Sequence, residues 1–138
     1  MTRIVVVGLV GIHLLVAIWH GGAHTELAIE LSPEQNLFVY VGVLLAPIVA
    51  AGLVWTRYSS AGLWLFMFSM LASHLFGVYH HYVLVSPDNI GHLPAATDFA
   101  HSRFINSAGI LALIELLSAL VGAFFVGSRY GQSRRHHS

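Results

Sequence analysis

The chain contains no cysteine and no lysine. The first absence removes disulfides, iron–sulfur clusters, thioether-attached haem and thiolate metal ligation. Any metal must then be held by imidazole, carboxylate, thioether or backbone groups. The second leaves six arginines as the whole basic complement, set against six acidic residues for a formal net charge of zero. A nucleic-acid partner has no electrostatic footing on such a chain. Charge of either sign is scarce: 9% of the 138 residues are charged and 57% are hydrophobic, with a mean hydropathy of +0.75. Soluble domains carry about 25% charged residues, so the composition is that of a membrane protein whose partner is the lipid bilayer. Against these absences stand ten histidines.

Four long apolar runs occupy residues 4–19, 37–55, 61–85 and 104–126. Each approaches or exceeds the roughly 20 residues a helix needs to cross the hydrocarbon core. Runs without alternation can satisfy their backbone groups in lipid only as helices. The expected fold is therefore all-α, a polytopic four-helix transmembrane bundle forming one domain over 1–138. Its helices are expected near 4–20, 33–56, 61–85 and 101–127, with a hydrophilic tail over 128–138. Arg3, Arg57, Arg129, Arg134 and Arg135 flank one side of these spans and only Arg103 the other. The excess of arginine predicts both termini in the cytoplasm of a prokaryotic plasma-membrane protein. The connections 20–36 and 86–101 then face outward. His13 interrupts the first apolar run and Trp19 and His20 are bulky, which argues for a retained span rather than a cleaved signal peptide.

Ser32-Pro33-Glu34-Gln35 has the pattern of an N-cap with proline at the first helical position and glutamine placed for a capping box. Ser86-Pro87-Asp88-Asn89 is a weaker start, expected to open a short surface helix. Pro47 is expected to bend the second helix and free a carbonyl near mid-membrane. The pairs His13/His20 and His74/His81, each followed by a Ser-Pro-acid start, also hint at a tandem repeat of a two-helix hairpin.

An ionisable side chain inside a membrane span is by default a functional candidate. Seven residues make two helical turns, so each histidine pair shares one face, about 10.5 Å apart along its axis. Counted from the cytoplasmic arginines, His13, His74 and Glu115 form an inner layer at mid-depth. An outer layer gathers His20, His80 or His81, and His101, with His24, Asp98 and Glu26 within loop reach. Two cofactors fit such layers. One is a single b-type haem held by His13 with His74 or by His20 with His81, its propionates met by Arg103. Two haems would collide at that spacing. The other is a copper or iron ion held by some of His13, His20, His24, His74, His80, His81, Asp98, His101 and Glu115. Gly21-Gly22 is expected to end the first helix, so that His24 reaches His20 only if the loop folds back. His80 and His81 diverge by about 100° on a helix, so one of them faces inward. Asp98 and Thr97 also read as helix-start residues.

The expected function is a small membrane protein with one histidine-ligated, redox or electron-transfer centre. Metal or proton transport through the same residues is the alternative, as is a structural role in a homo-oligomer or larger membrane complex. No nucleophile with its base and no phosphate-binding loop is visible, which leaves catalysis open.

Overall fold

The computed structural model describes residues 1–135, and among them the protein is all-helical, without strands. Four helices are long and apolar enough to cross a membrane: α1 Thr2–Glu26, α2 Pro33–Leu53, α3 Ser59–Val83 and α4, whose apolar stretch Asp98–Arg129 lies within a helix reaching Arg135. Large apolar side chains such as Ile4, Leu15, Ile18 and Phe124 point outward and are about 70% exposed, as expected of a surface that meets lipid.

The helix ends depart from expectation in instructive ways. α1 does not stop at Gly21-Gly22 but runs to Glu26. Two features outweigh the low helix propensity of the glycines. Beyond Glu26 the helix closes in a Schellman arrangement, with Ile29 N–H donating to the His24 carbonyl (3.0 Å) and Ala28 N–H to the Thr25 carbonyl (3.2 Å). Ala28 takes the left-handed conformation at φ 51°. The closure buries Leu27 and Ile29 against Ala23, Ala100 and Phe104. The bare face of Gly22 also admits the Arg103 guanidinium, which a Cβ there would overlap, and Arg103 Nη1 donates to Glu26 Oε2 at 2.8 Å.

α2 begins with the expected capping box: Ser32 Oγ accepts from Gln35 N–H (3.2 Å) and Gln35 Oε1 accepts from Ser32 N–H (2.7 Å). Its residues Val39–Leu45 widen into π winding just before Pro47. Proline offers no N–H to the carbonyl four residues back, and the wider winding takes up the mismatch. The Ser86–Asn89 segment forms a turn, closed by Asn89 N–H to the Ser86 carbonyl (3.0 Å), and not the expected short helix. Its backbone is committed elsewhere, because Ile90 N–H donates to the His81 carbonyl (3.0 Å) and Asn89 Nδ2 to the Leu84 carbonyl (3.0 Å). α4 is capped by Thr97, whose Oγ1 accepts from Ala100 N–H (3.2 Å). It continues to Arg135 instead of ending near 127, since no proline interrupts it. His136 and His137 lie outside the described residues.

The interior has three tiers. One apolar cluster, including Val6, Val54, Leu63, Phe66 and Met70, fills one end of the bundle. The smaller cluster around Phe104 fills the other. Between them lie buried polar side chains from α1, α3 and α4: His13, Ser73, Ser107, Glu115 and Ser118, with His20 and His81 on the Phe104 side. The α3–α4 approach depends on Gly122, where a Cβ would fall 2.9 Å from Met67 Cβ and 3.0 Å from its Cα. Replacing Gly122 by alanine should therefore cost about 1–3 kcal/mol through overpacking. Gly127→Ala, at a position with open space around it, should leave stability unchanged. Thermal unfolding in detergent, followed by helical circular dichroism, compares the two.

Candidate metal centre

The end of the bundle around Phe104 brings three imidazoles together. His20 and His24 stand four apart on α1, so the uninterrupted helix places both rings on one face. The last turn of α3, Tyr79–Val83, is π-wound and turns His81 inward. His80 turns away to Gln35, with its Nδ1 3.1 Å from Gln35 Nε2. His20 Nε2 lies 3.1 Å from His81 Nε2 and 3.1 Å from His24 Nε2. One nitrogen from each ring falls within 4.8 Å of the other two, a group that can hold a metal ion. All three rings pack on Phe104, at centroid distances of 5.0, 5.1 and 5.4 Å.

The partners behind these rings decide where their protons sit. Ser107 Oγ lies 3.0 Å from the Phe104 carbonyl and 2.9 Å from His20 Nδ1, and when it donates to the carbonyl it accepts from His20 Nδ1–H. His81 Nδ1 lies 3.0 Å from the Asp88 backbone carbonyl, which only accepts, and 3.1 Å from Asp88 Oδ1. His81 Nδ1 therefore carries a proton, and so does His20 Nδ1 in the arrangement where Ser107 accepts from it. In the neutral rings each Nε2 then presents a lone pair, and the two lone pairs face each other across 3.1 Å. Two acceptors form no hydrogen bond. A cation between them, whether a metal ion or a shared proton, resolves the contact.

Asp88 supplies negative charge beside the cluster. It is 6% exposed, and its Oδ1 stands 3.3 Å from His24 Nε2 and 3.1 Å from His81 Nδ1. That oxygen is within ion-pair distance of both rings but has hydrogen-bond geometry to neither. A carboxylate behind a metal-ligating histidine fixes the ring and raises its basicity, and Asp88 occupies that position behind His81.

The remaining sequence candidates fall elsewhere. His13 Nε2 meets Glu115 Oε1 at 3.2 Å, with His13 fully buried and Glu115 2% exposed. His74 Nδ1 donates to the Ala112 carbonyl at 3.0 Å, so the inner layer is a His–Glu pair and a separate His–backbone bond, not two facing imidazoles. His101 Nε2 donates to the Pro94 carbonyl (2.8 Å). Asp98 is exposed in the first turn of α4. Arg103 is engaged by Glu26. Sequence reasoning missed Asp88 and Ser107 as partners of the cluster. Asp88 had a signal in its place, an acid in a Ser-Pro-Asp-Asn turn directly after the His81 helix. Ser107 had none, since its role depends on how α4 rotates toward α1.

The His13–Glu115 pair tests the buried polar tier. His13→Ala strands a buried carboxyl group and should lower stability by about 3 kcal/mol, whereas Ser102→Ala on the exposed side of α4 should not. Thermal melts in one detergent make the comparison. Comparisons with protein-family models, characterised proteins and solved structures find no match for this chain, and the functional reading therefore rests on the geometry of His20, His24 and His81.

Proposed function

We propose that the protein is an integral membrane protein with both termini cytoplasmic. In this reading it binds one non-haem first-row transition-metal ion, copper or iron, through the Nε2 atoms of His20, His24 and His81 near the outer face. The ion serves redox or electron-transfer chemistry. The observation that carries this reading is the convergence of three imidazole nitrogens, with His20 Nε2 standing 3.1 Å from both His81 Nε2 and His24 Nε2. Metal–imidazole bonds of about 2.0–2.1 Å separate neighbouring ligand nitrogens by about 2.9 Å in an octahedron and about 3.3 Å in a tetrahedron, and 3.1 Å lies between. Imidazole donors suit copper, iron, zinc and nickel. Three protein ligands leave a coordination position free for exogenous chemistry. Axial haem ligands stand on opposite faces of the porphyrin, about 4 Å apart through the iron, so a cluster of three imidazoles in mutual contact favours a bare ion.

A metal-handling role is the second reading. It draws on Glu115, which lines the same cavity as the three imidazoles and could receive an ion or proton from them.

After chelation and reloading in lipid nanodiscs, the protein should retain about one copper or iron ion per chain. His20→Ala, His24→Ala and His81→Ala should each abolish stoichiometric binding, and His101→Ala should keep it. Elemental analysis with an absorption spectrum decides the matter. A Soret band lost in His13→Ala, zinc retained against excess copper and iron, or no metal after reloading would each overturn the proposal.

Orientation is checked separately, because the absence of native cysteine makes single-cysteine labelling clean. With an impermeant maleimide, Ala95→Cys should react in intact cells and Ser60→Cys only after permeabilisation. The reverse pattern would place the cluster on the cytoplasmic side.

A further inference from the structure

The three imidazoles form one wall of a cavity of about 550 Å³, within the size range of small-molecule sites. Its other walls are largely apolar and include Ile18, Val43, Leu44, Phe76 and Leu111. α1 packs on α2 mainly along Ala46–Leu53, and the cavity occupies the gap left beside the earlier turns of α2. Ile18 and Tyr40 both line it while remaining 69% and 64% exposed. The cavity therefore opens between α1 and α2 onto the apolar flank of the bundle, and also beside the exposed Thr25, Ala28 and Glu30, at the end of α1 and in the connection that follows it.

Polar atoms gather at the closed end. Glu115 Oε1 is engaged by His13, which leaves Oε2. Ser73 lines the same cavity, and its buried Oγ has no hydrogen-bond partner. A Cβ at Gly77 would stand 3.9 Å from Glu115 Oε2 and 3.9 Å from His81 Cδ2. The missing side chain thus keeps a gap between the carboxyl group and the imidazole cluster. A ligand group in that gap meets an acceptor on one side and the metal-binding rings on the other. Glu30, Asp88 and Glu115 all line the cavity, and no arginine does. That charge disfavours a phosphate or carboxylate headgroup and favours a neutral hydroxyl donor. Tyr40 and Phe76, the latter stacked on Phe38, add aromatic surface to the wall that suits a flat ring, and the opening beside Ile18 favours an apolar tail.

We propose that this cavity binds a membrane-soluble aromatic alcohol of the hydroquinone type, with a ring hydroxyl donating to Glu115 Oε2 and the tail leaving between Ile18 and Tyr40 into lipid. This names the substrate class of the metal centre and rests on that reading for its chemistry, although the binding step itself does not need the ion.

The test uses the full chain in nanodiscs of neutral phospholipid and a photoreactive azido-hydroquinone with a prenyl tail. Metal content is measured on the same samples. Adducts should map to the cavity-lining faces of α1 and α2, and prenyl-hydroquinone should compete them away while its dimethyl ether does not. Glu115→Gln, which replaces the carboxylate acceptor by a weaker amide oxygen, should raise the half-competing concentration about tenfold. Gly77→Ala adds a methyl at ordinary contact distance and should weaken labelling without unfolding the protein. Leu44→Trp should abolish labelling by filling the cavity, with metal content unchanged. Adducts scattered over the lipid-facing surface, equal competition by the dimethyl ether, or full labelling in Leu44→Trp would overturn this inference. Loss of the metal proposal would instead appear as metal-free protein, whether or not labelling is specific.

Discussion

A polar side chain inside an apolar helix bundle must find its partner within the protein, because neither lipid nor packed side chains can supply one. The architecture between the two apolar clusters follows from that constraint. His13 is met by Glu115 and His74 by the Ala112 carbonyl. His20 is met by Ser107 and His81 by the Asp88 carbonyl. Each of these contacts joins two different helices or a helix and a connection, so together they set how α1 and α3 rotate against α4 and where the 84–97 connection lies. Dispersion between Leu, Val and Phe can hold helices together but tolerates many rotations. The polar contacts select one.

That demand is not met everywhere: Ser73 Oγ, Ser118 Oγ and His13 Nδ1 are buried without hydrogen-bond partners, and at the imidazole cluster several ring nitrogens converge. The Nδ1 atoms of His20 and His81 are engaged by Ser107 and the Asp88 carbonyl, which leaves the two Nε2 atoms facing each other at 3.1 Å. His24 adds a third nitrogen and Asp88 a buried carboxylate oxygen without a hydrogen bond. An isolated cluster of this kind in a low-dielectric setting is costly, and a bound cation converts the cost into binding energy. The imidazole cluster therefore differs in kind from the His13–Glu115 pair, which is joined by a contact between a donor and an acceptor.

The backbone devices around the cluster serve its geometry. The Schellman closure after Glu26 keeps His24 in register with His20. The π turn at the end of α3 separates His81 from His80. The turn at Ser86–Asn89 folds back so that Asp88 lies behind His81. The gap beside the early turns of α2 leaves one side of the cluster facing a cavity instead of packed side chains. A rigid rear wall of α1, α3 and α4 and an open front toward α2 are what a site needs if it is both to hold an ion and to admit a ligand.

Composition and hydropathy sufficed for the four apolar helices, for the capping box at Ser32 and for histidine as the dominant polar group within them, because these depend on local pattern and on the energetics of the bilayer. The inward turn of one member of His80–His81 was also legible, since adjacent residues on a helix diverge. The grouping was not. Depth counted from the arginines places residues along a helix axis and says nothing of its rotation, so His74 was expected opposite His13 and instead meets the α4 backbone. Local propensity stopped α1 at two glycines, whereas tertiary packing of Leu27 and Ile29 carried the helix on and brought His24 to the cluster. Asp98 and His101, attractive by spacing, face away, and Asp88 takes the place expected of them because the connection after α3 folds inward. The sequence determined which chemistry the bundle can hold, through its histidines and missing cysteines. Only the tertiary structure decided which three imidazoles meet, because their meeting depends on helix rotation and chain return, which no local pattern encodes.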